Sequence, residues 1–135
     1  MARRVAFDTT FLIDLQRERT REDSSGPAHR FLADDPEMEL HLSATALGEF
    51  AEGFRSPEDA LFRTILELHV LLPTDEATAL EYGRVTRSLR RAGRLIGTND
   101  LWIAAASLRY EIPLVTANTS EFRRIPGLEV VAYKD

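Results

Sequence analysis

The sequence predicts an α/β domain with a mostly parallel sheet of about five strands. Short apolar runs alternate with helical patterns along the chain, no repeat or low-complexity tract interrupts them, and 44% of the 135 residues are hydrophobic. Strands that alternate with helices are typical of parallel α/β folds. A chain of this length supplies one core, so we expect a single domain over residues 1–135.

The predicted strands are short and are bounded by helix or turn signals. The first ends directly before Asp8, the second is followed by the helix-capping residue type Ser43, and Pro73 stops the third. The five strands are predicted at residues 5–7, 40–42, 70–72, 112–116 and 128–133.

Capping residues and apolar spacing mark the helices. One begins at about Thr10, a second follows Ser43, a third begins at Pro57, and Asp75 caps a long one that Gly93 ends. A last helix contains Asp100 near its start. The helix after Ser43 is predicted to bury Leu47, Phe50, Ala51 and Phe54. The helix from Pro57 is predicted to bury Leu61, Ile65 and Leu68.

The composition excludes several classes of protein. The chain has no cysteine, which rules out disulfides and thiolate catalysis, and its three histidines lack the close spacing of a zinc site. Acidic residues interrupt the N-terminal apolar stretch, and no apolar run approaches the roughly 20 residues of a membrane span. We therefore expect a cytoplasmic protein without a membrane partner. A net charge of −5 argues against indiscriminate nucleic-acid binding.

Three acidic residues, Asp8, Glu49 and Asp100, lie at or near the starts of predicted helices. Ligands bind at the carboxyl ends of the strands in an open parallel sheet, so these side chains can converge on one crevice. At about 4 Å and an effective dielectric near 20, each like-charged pair costs roughly 4 kcal/mol. A divalent metal would neutralise such a cluster, and Mg²⁺ and Mn²⁺ prefer carboxylate oxygens.

Each acid also has a purely structural interpretation. Asp100 can serve as a first-turn acid that favours its helix, and taken alone this interpretation is the better one. Glu49 lies opposite the apolar face of its helix, as a solvated residue would. Asp8 is the hardest to explain structurally, because it directly follows a buried strand.

The chain resembles the PIN-domain ribonucleases, and more specifically the VapC-type toxins of toxin–antitoxin pairs. The resemblance is carried by five segments in the family's order, which together span nearly the whole chain. They are VAFDTTFLID (5–14), SATALGE (43–49), IGTNDLWIAA (96–105), LVTANTSEF (114–122) and RIPGL (124–128). It implies a three-layer α/β/α domain and Mg²⁺- or Mn²⁺-dependent hydrolysis of RNA at Asp8, Glu49 and Asp100. It also implies a VapB-like antitoxin and a homodimer.

One position departs from the pattern of many PIN domains, which have a fourth acid after the fourth strand. This chain has Asn118 there, with Glu121 three residues later, so a fourth metal ligand and a second metal stay open. Thr9 and Thr116 are expected to hydrogen-bond the acids or to position water.

A basic cluster follows Tyr82 in an otherwise acidic chain. Its arginines suit an RNA backbone, although a solvated helix face that pairs with nearby acids is an equal alternative. The residues expected to bind RNA are Arg84, Arg87, Arg91 and Arg94. Trp102 is expected to pack more readily than to stack on a base.

Other classes fit less well. A receiver domain needs a late lysine that Lys134 is badly placed to supply, and a haloacid-dehalogenase-like phosphatase needs an acid where Thr10 stands. The alternatives that stay open are a PIN-fold module that binds RNA or protein without catalysis, and a PIN nuclease that is not a toxin.

Overall fold

A computed structural model describes residues 2–135 and has one five-stranded sheet with parallel pairing throughout. The strand order is β3-β2-β1-β4-β5. The described part of the chain contains β1 (Arg4–Phe7), α1 (Thr9–Thr20), α2 (Pro27–Asp34), β2 (Glu39–Ser43), α3 (Ala44–Glu52), α4 (Ala60–Glu67), β3 (Val70–Leu72), α5 (Glu76–Ala92), α6 (Thr98–Tyr110), β4 (Leu114–Thr116), α7 (Thr119–Phe122) and β5 (Val130–Ala132).

The centre of the sheet is buried on both faces. Val5, Ala6 and Phe7 of β1 are all buried, although successive side chains of a strand point to opposite faces. Both faces must therefore be covered by helices, as a parallel sheet requires. This confirms the predicted α/β class and the three-layer arrangement.

The strand order places the ends of three strands side by side. β1 pairs with β2 through Phe7 and Leu42, and with β4 through Phe7 and Val115. The chain leaves β1 and β2 directly into α1 and α3. Because β1 lies where the strand order reverses direction, its carboxyl end is the position at which such sheets bind ligands.

Several boundaries differ from the prediction. The helix predicted to begin at Pro57 is α4, which begins at Ala60. The Asp59 side chain accepts from the backbone N–H groups of Leu61 and Phe62 and so fixes the cap there. Leu68, expected on the buried face, lies after the helix end and is 42% exposed. The last two strands are shorter than predicted, at three residues each.

Helix α2 was not predicted, and its N-terminus is capped from outside the segment. Gly26 provides no side-chain cap. The buried carboxylate of Glu18, in α1, instead accepts from the backbone N–H groups of Ala28 and His29 at 3.0 and 2.9 Å. No helix within residues 2–135 is long and apolar enough to cross a membrane.

Candidate active site

Asp8 lies at the carboxyl end of β1 and caps α1. Its Oδ1 accepts from the Thr10 hydroxyl at 2.6 Å and the Phe11 backbone N–H at 3.3 Å, and its Oδ2 accepts from the Thr116 hydroxyl at 2.5 Å. The residue is 3% exposed. Burial raises the pKa of Asp8 even though these hydrogen bonds favour the ionised form.

Glu49 is half-buried on α3 and is held by two polar side chains. The hydroxyl of Thr9 donates to its Oε1 at 2.6 Å, and the amide of Asn99 donates to its Oε2 at 3.2 Å. These contacts join residues 40 and 50 positions apart in the chain. Glu49 therefore faces the starts of α1 and α6 and does not belong to a freely solvated surface.

Asp100 lies in the first turn of α6, whose cap residue Gly97 offers no side chain to the helix N-terminus. Burial raises the pKa of Asp100 to about 6, and the negative charges of Asp8, Glu121 and Glu49 act in the same direction. All three of those charges must be near for this effect. The fold thus brings the three predicted acids together and adds Glu121.

The Asn118 position joins this group through Glu121. The Asn118 side-chain amide donates to Glu121 Oε2 at 2.6 Å, and its backbone N–H donates to the Thr116 hydroxyl at 2.9 Å. Both side chains are half-buried at the start of the short helix α7. Asn118 therefore orients an acid in this structure, and its own oxygen is left for other partners.

The acidic group has hard oxygen donors, which is the donor type that Mg²⁺ and Mn²⁺ require. Among residues 2–135, no basic side chain forms an ion pair with Asp8, Glu49 or Asp100. The carboxylates do not form a preassembled cage, since no group of three acidic, histidine or cysteine side chains in the described residues is arranged to hold an ion. The chemistry of the oxygen donors nevertheless fits a divalent cation.

The basic cluster lies on α5 and the loop that follows it. Arg84, Arg87 and Arg91 are exposed and line a shallow cavity of about 560 Å³. Arg84 pairs with Glu81 at 2.7 Å, whereas Arg87, Arg91 and Arg94 form no ion pair with any residue of 2–135. Pairing with a nearby acid, the alternative to RNA binding, therefore explains only Arg84 among these four arginines of residues 2–135.

Trp102 is partly buried and packs against a neighbouring helix. Its ring stacks on Tyr82 of α5, with centroids 4.0 Å apart and planes 17° apart. This contact helps to join α5 to α6, the helix that carries Asp100.

Two residues of the site were missed from the sequence. Thr10 hydrogen-bonds Asp8, and Asn99 hydrogen-bonds Glu49. The only local signal was that each stands within two residues of a predicted acid.

Acids clustered at the carboxyl end of the central strand of a parallel α/β sheet lie where such sheets bind ligands, and their oxygens suit a divalent cation. The family model for the PIN domain matches residues 5–128, and the chain belongs to this family. Among curated proteins, it is 44% identical over 62 residues to Ribonuclease VapC1 of Haemophilus influenzae, an alignment that covers 46% of this chain and 46% of that protein.

Two further similarities extend over most of the chain. Ribonuclease VapC1 of Methanocaldococcus jannaschii is 26% identical over 130 residues, which is 94% of this chain and 86% of that protein. The structure of VapBC-1 from nontypeable Haemophilus influenzae superimposes with a TM-score of 0.76 at 30% identity, covering 98% of this chain and 99% of the other. With the first-named relative, however, the match spans about half the length of either protein.

Proposed function

We propose that the protein is a metal-dependent endoribonuclease and the toxin of a VapBC-like toxin–antitoxin pair. The observation that carries the proposal is the convergence of Asp8, Glu49 and Asp100: Thr9, next to Asp8, and Asn99, next to Asp100, both hydrogen-bond the Glu49 carboxylate. The similarity to proteins named Ribonuclease VapC supports the choice of RNA. An uncompensated acidic cluster is costly, and binding a cation that acts on a phosphodiester is a reason to retain it.

The residues of the site have two kinds of role, holding the metal and orienting the acids that hold it. Asp8, Asp100 and Glu49 would hold Mg²⁺ or Mn²⁺, which supplies charge neutralisation and an activated water when bound. Thr116 orients Asp8, and Thr9 and Asn99 orient Glu49, through the hydrogen bonds described above. Asn118 fixes Glu121, the fourth acid, beside the group. The N-terminus of α6 adds a positive partial charge that favours a substrate phosphate.

The arginine surface of α5 would bind the RNA backbone. Arg87, Arg91 and Arg94 form no ion pair within residues 2–135, and guanidinium groups suit phosphate oxygens. Arg94 lies in the loop that leads to the first turn of α6. RNA bound along α5 would thus reach the acidic group at that turn.

The double variant in which Gln replaces both Arg87 and Arg91 should have a higher KM for RNA and a weaker dependence of KM on salt, with little change in kcat.

The partner proposed for inhibition is a VapB-like antitoxin that presents a cation to the acids. A groove of about 500 Å³ between α1 and α3 supports this, since its lining runs from Ile13 and Gln16 to Phe50 and includes Glu49. A chain lying in that groove would reach the acidic group. A second copy of the toxin is also proposed, by resemblance, to form a homodimer.

The deciding experiment is RNA cleavage by the purified free protein. Cleavage should require Mg²⁺ or Mn²⁺, stop in EDTA, and leave 5′-phosphate and 3′-hydroxyl ends. Activity that persists in EDTA, or products with 2′,3′-cyclic phosphates, would refute metal-dependent hydrolysis. Binding of RNA without cleavage under any divalent cation would favour the non-catalytic binding module.

The partner needs a separate measurement. The cognate antitoxin in excess should abolish cleavage, and light scattering of the toxin alone at micromolar concentration should give twice the mass of one chain. Unchanged cleavage with the partner bound would refute inhibition, and a strict monomer would refute the dimer.

A further inference from the structure

The hydroxyl of Thr10 lies between Asp8 and the turn that follows β4. It donates to Asp8 Oδ1 at 2.6 Å and accepts from the backbone N–H of Ala117 at 3.3 Å. Thr116 makes the corresponding pair of bonds, donating to Asp8 Oδ2 at 2.5 Å and accepting from the backbone N–H of Asn118 at 2.9 Å. Each oxygen of Asp8 is thus connected through one threonine hydroxyl to the same turn.

The direction of these hydrogen bonds is determined by chemistry. A backbone N–H can only donate, so each hydroxyl accepts from the turn and has its single proton available for Asp8. An ionised carboxylate can only accept, which matches this arrangement. Two threonines therefore hold the ionised form of Asp8 from opposite sides.

The two oxygens of Asp8 are not equivalent. Each carboxylate oxygen accepts about two hydrogen bonds. Within residues 2–135, Oδ1 accepts from the Thr10 hydroxyl and from the backbone N–H of Phe11, whereas Oδ2 accepts from the Thr116 hydroxyl alone. Oδ2 is therefore the oxygen with acceptor capacity left for another group.

We propose that Thr10 is a positioning residue that occupies Oδ1 and leaves Oδ2 of Asp8 as the single oxygen that can ligate a metal. The proposal rests on the metal use proposed above. Thr10 and Ala117 are exposed, so water can replace the hydroxyl at the Ala117 N–H when Thr10 is changed. The fold loses little by that change, while Oδ1 of Asp8 keeps only the Phe11 backbone N–H and the carboxylate is held less firmly.

The test compares Thr10→Val, which replaces the hydroxyl with a methyl group, with Thr10→Ser, which keeps the hydroxyl and loses the methyl group. Thr64→Val is the matched control, because the Thr64 hydroxyl is exposed and donates only to the Ala60 carbonyl. The midpoint of the Mn²⁺-induced rise in Tm is measured for each protein, with kcat and KM for RNA. Loss of an outer hydrogen-bond partner of a metal ligand typically costs about 10- to 100-fold. We expect Thr10→Val to raise the Mn²⁺ midpoint and lower kcat about tenfold at a nearly unchanged KM, with both other variants within about threefold of wild type.

A metal-free measurement tests the contact itself. In EDTA, Thr10→Val should lower the Tm of the wild-type protein slightly and leave the Tm of Asp8→Ala unchanged, since the shared hydrogen bond is already absent there. If Thr10→Val lowers the Tm equally in wild type and in Asp8→Ala, the effect does not come from the hydrogen bond between Thr10 and Asp8, and the proposal is refuted.

The outcomes separate the two proposals. If Mn²⁺ stabilises wild type and Thr10→Val has the same midpoint and kcat, the role of Thr10 is refuted and the metal site stands. If Thr10→Ser is as damaging as Thr10→Val, packing of the methyl group matters and the positioning role is refuted. If wild type shows neither cleavage nor a response to divalent cations, both proposals fail.

Discussion

Asp8 and Asp75 have the same local role and opposite electrostatic surroundings. Both follow a strand at the carboxyl end of the sheet, and both cap the next helix with a side-chain oxygen. Asp75 belongs to a capping box with Thr78 and is paired with Arg109 at 2.9 Å. Its hydrogen bond to Arg109 holds the pKa of Asp75 well below its usual value. Asp8 has no such cation, and burial raises its pKa.

The difference is the one expected between a purely structural acid and the metal ligand proposed for Asp8. A cap needs an oxygen acceptor, which Asn or Ser provides as well as Asp. At Asp75 the negative charge is used by Arg109. At Asp8 the charge adds to those of Glu49, Asp100 and Glu121 and has no cation to offset it within residues 2–135. A carboxylate that lowers the stability of the fold is expected where the function of the site, here the proposed metal binding, requires its charge.

The largest expected effect is on catalysis. Asp8→Asn should reduce RNA cleavage by at least about 100-fold, because a neutral amide is a poor ligand for Mg²⁺ or Mn²⁺. Asp75→Asn should leave cleavage within about twofold of wild type, since Asn caps a helix as well as Asp. Initial rates of cleavage of one labelled RNA measure both. Equal losses in the two variants would break the distinction.

The next effect is on stabilisation by metal. A saturating divalent cation, at about 100 times its Kd, adds about 2.7 kcal/mol to the stability of a protein that binds it only when folded. Thermal unfolding should therefore show a Tm rise of several degrees for wild type and for Asp75→Asn. Asp8→Asn should show less than half of that rise. The comparison fails if Asp8→Asn responds to Mn²⁺ as wild type does.

A smaller effect concerns pH and Asp100. The folded-state pKa of Asp100 is about 6 and its ordinary value is 3.8, so protonated Asp100 stabilises the fold at low pH and this stabilisation is lost as the pH rises through about 6. In EDTA, Asp100→Asn should melt near wild type below the ordinary pKa of 3.8, and increasingly above wild type as the pH rises from there through about 6. The pKa of His69, which burial lowers to about 4, affects both proteins alike and cancels in the difference. A difference that is constant with pH would show that Asp100 is not raised.

Much of the site followed from the positions of single residues relative to strands and helices. Asp8 and Asp100 were predicted because a parallel sheet brings strand ends and helix starts to one edge, and the sheet order confirms that geometry. For Glu49 the helical pattern was ambiguous, and only the resemblance favoured a site residue. Its contacts with Thr9 and Asn99 depend on how α3 packs against α1 and α6, which local sequence does not encode.

Most of the missed contacts have one physical cause: they join residues that are not neighbours in the chain. Thr10 meets Ala117 across 107 positions. Helix α2 lacked a capping signal because Glu18, on another helix, supplies the cap. The same packing explains Gly26, where an added Cβ would lie 2.3 Å from Glu18 Cδ. Periodicity and capping rules describe neighbours in sequence and do not reach such contacts.

The most direct test of the difference between Asp8 and Asp75 is the Tm of their asparagine variants without metal. In EDTA at about pH 7.5, Asp8→Asn should melt higher than wild type, because removing a buried charge that has no ion pair within residues 2–135 outweighs the one threonine hydrogen bond that the Asn NH2 group cannot accept. Asp75→Asn should melt lower by roughly 1–4 °C, because Arg109 loses its charged partner. Asp8→Asn melting below wild type, in parallel with Asp75→Asn, would show that Asp8 is an ordinary structural cap and would contradict the functional assignment.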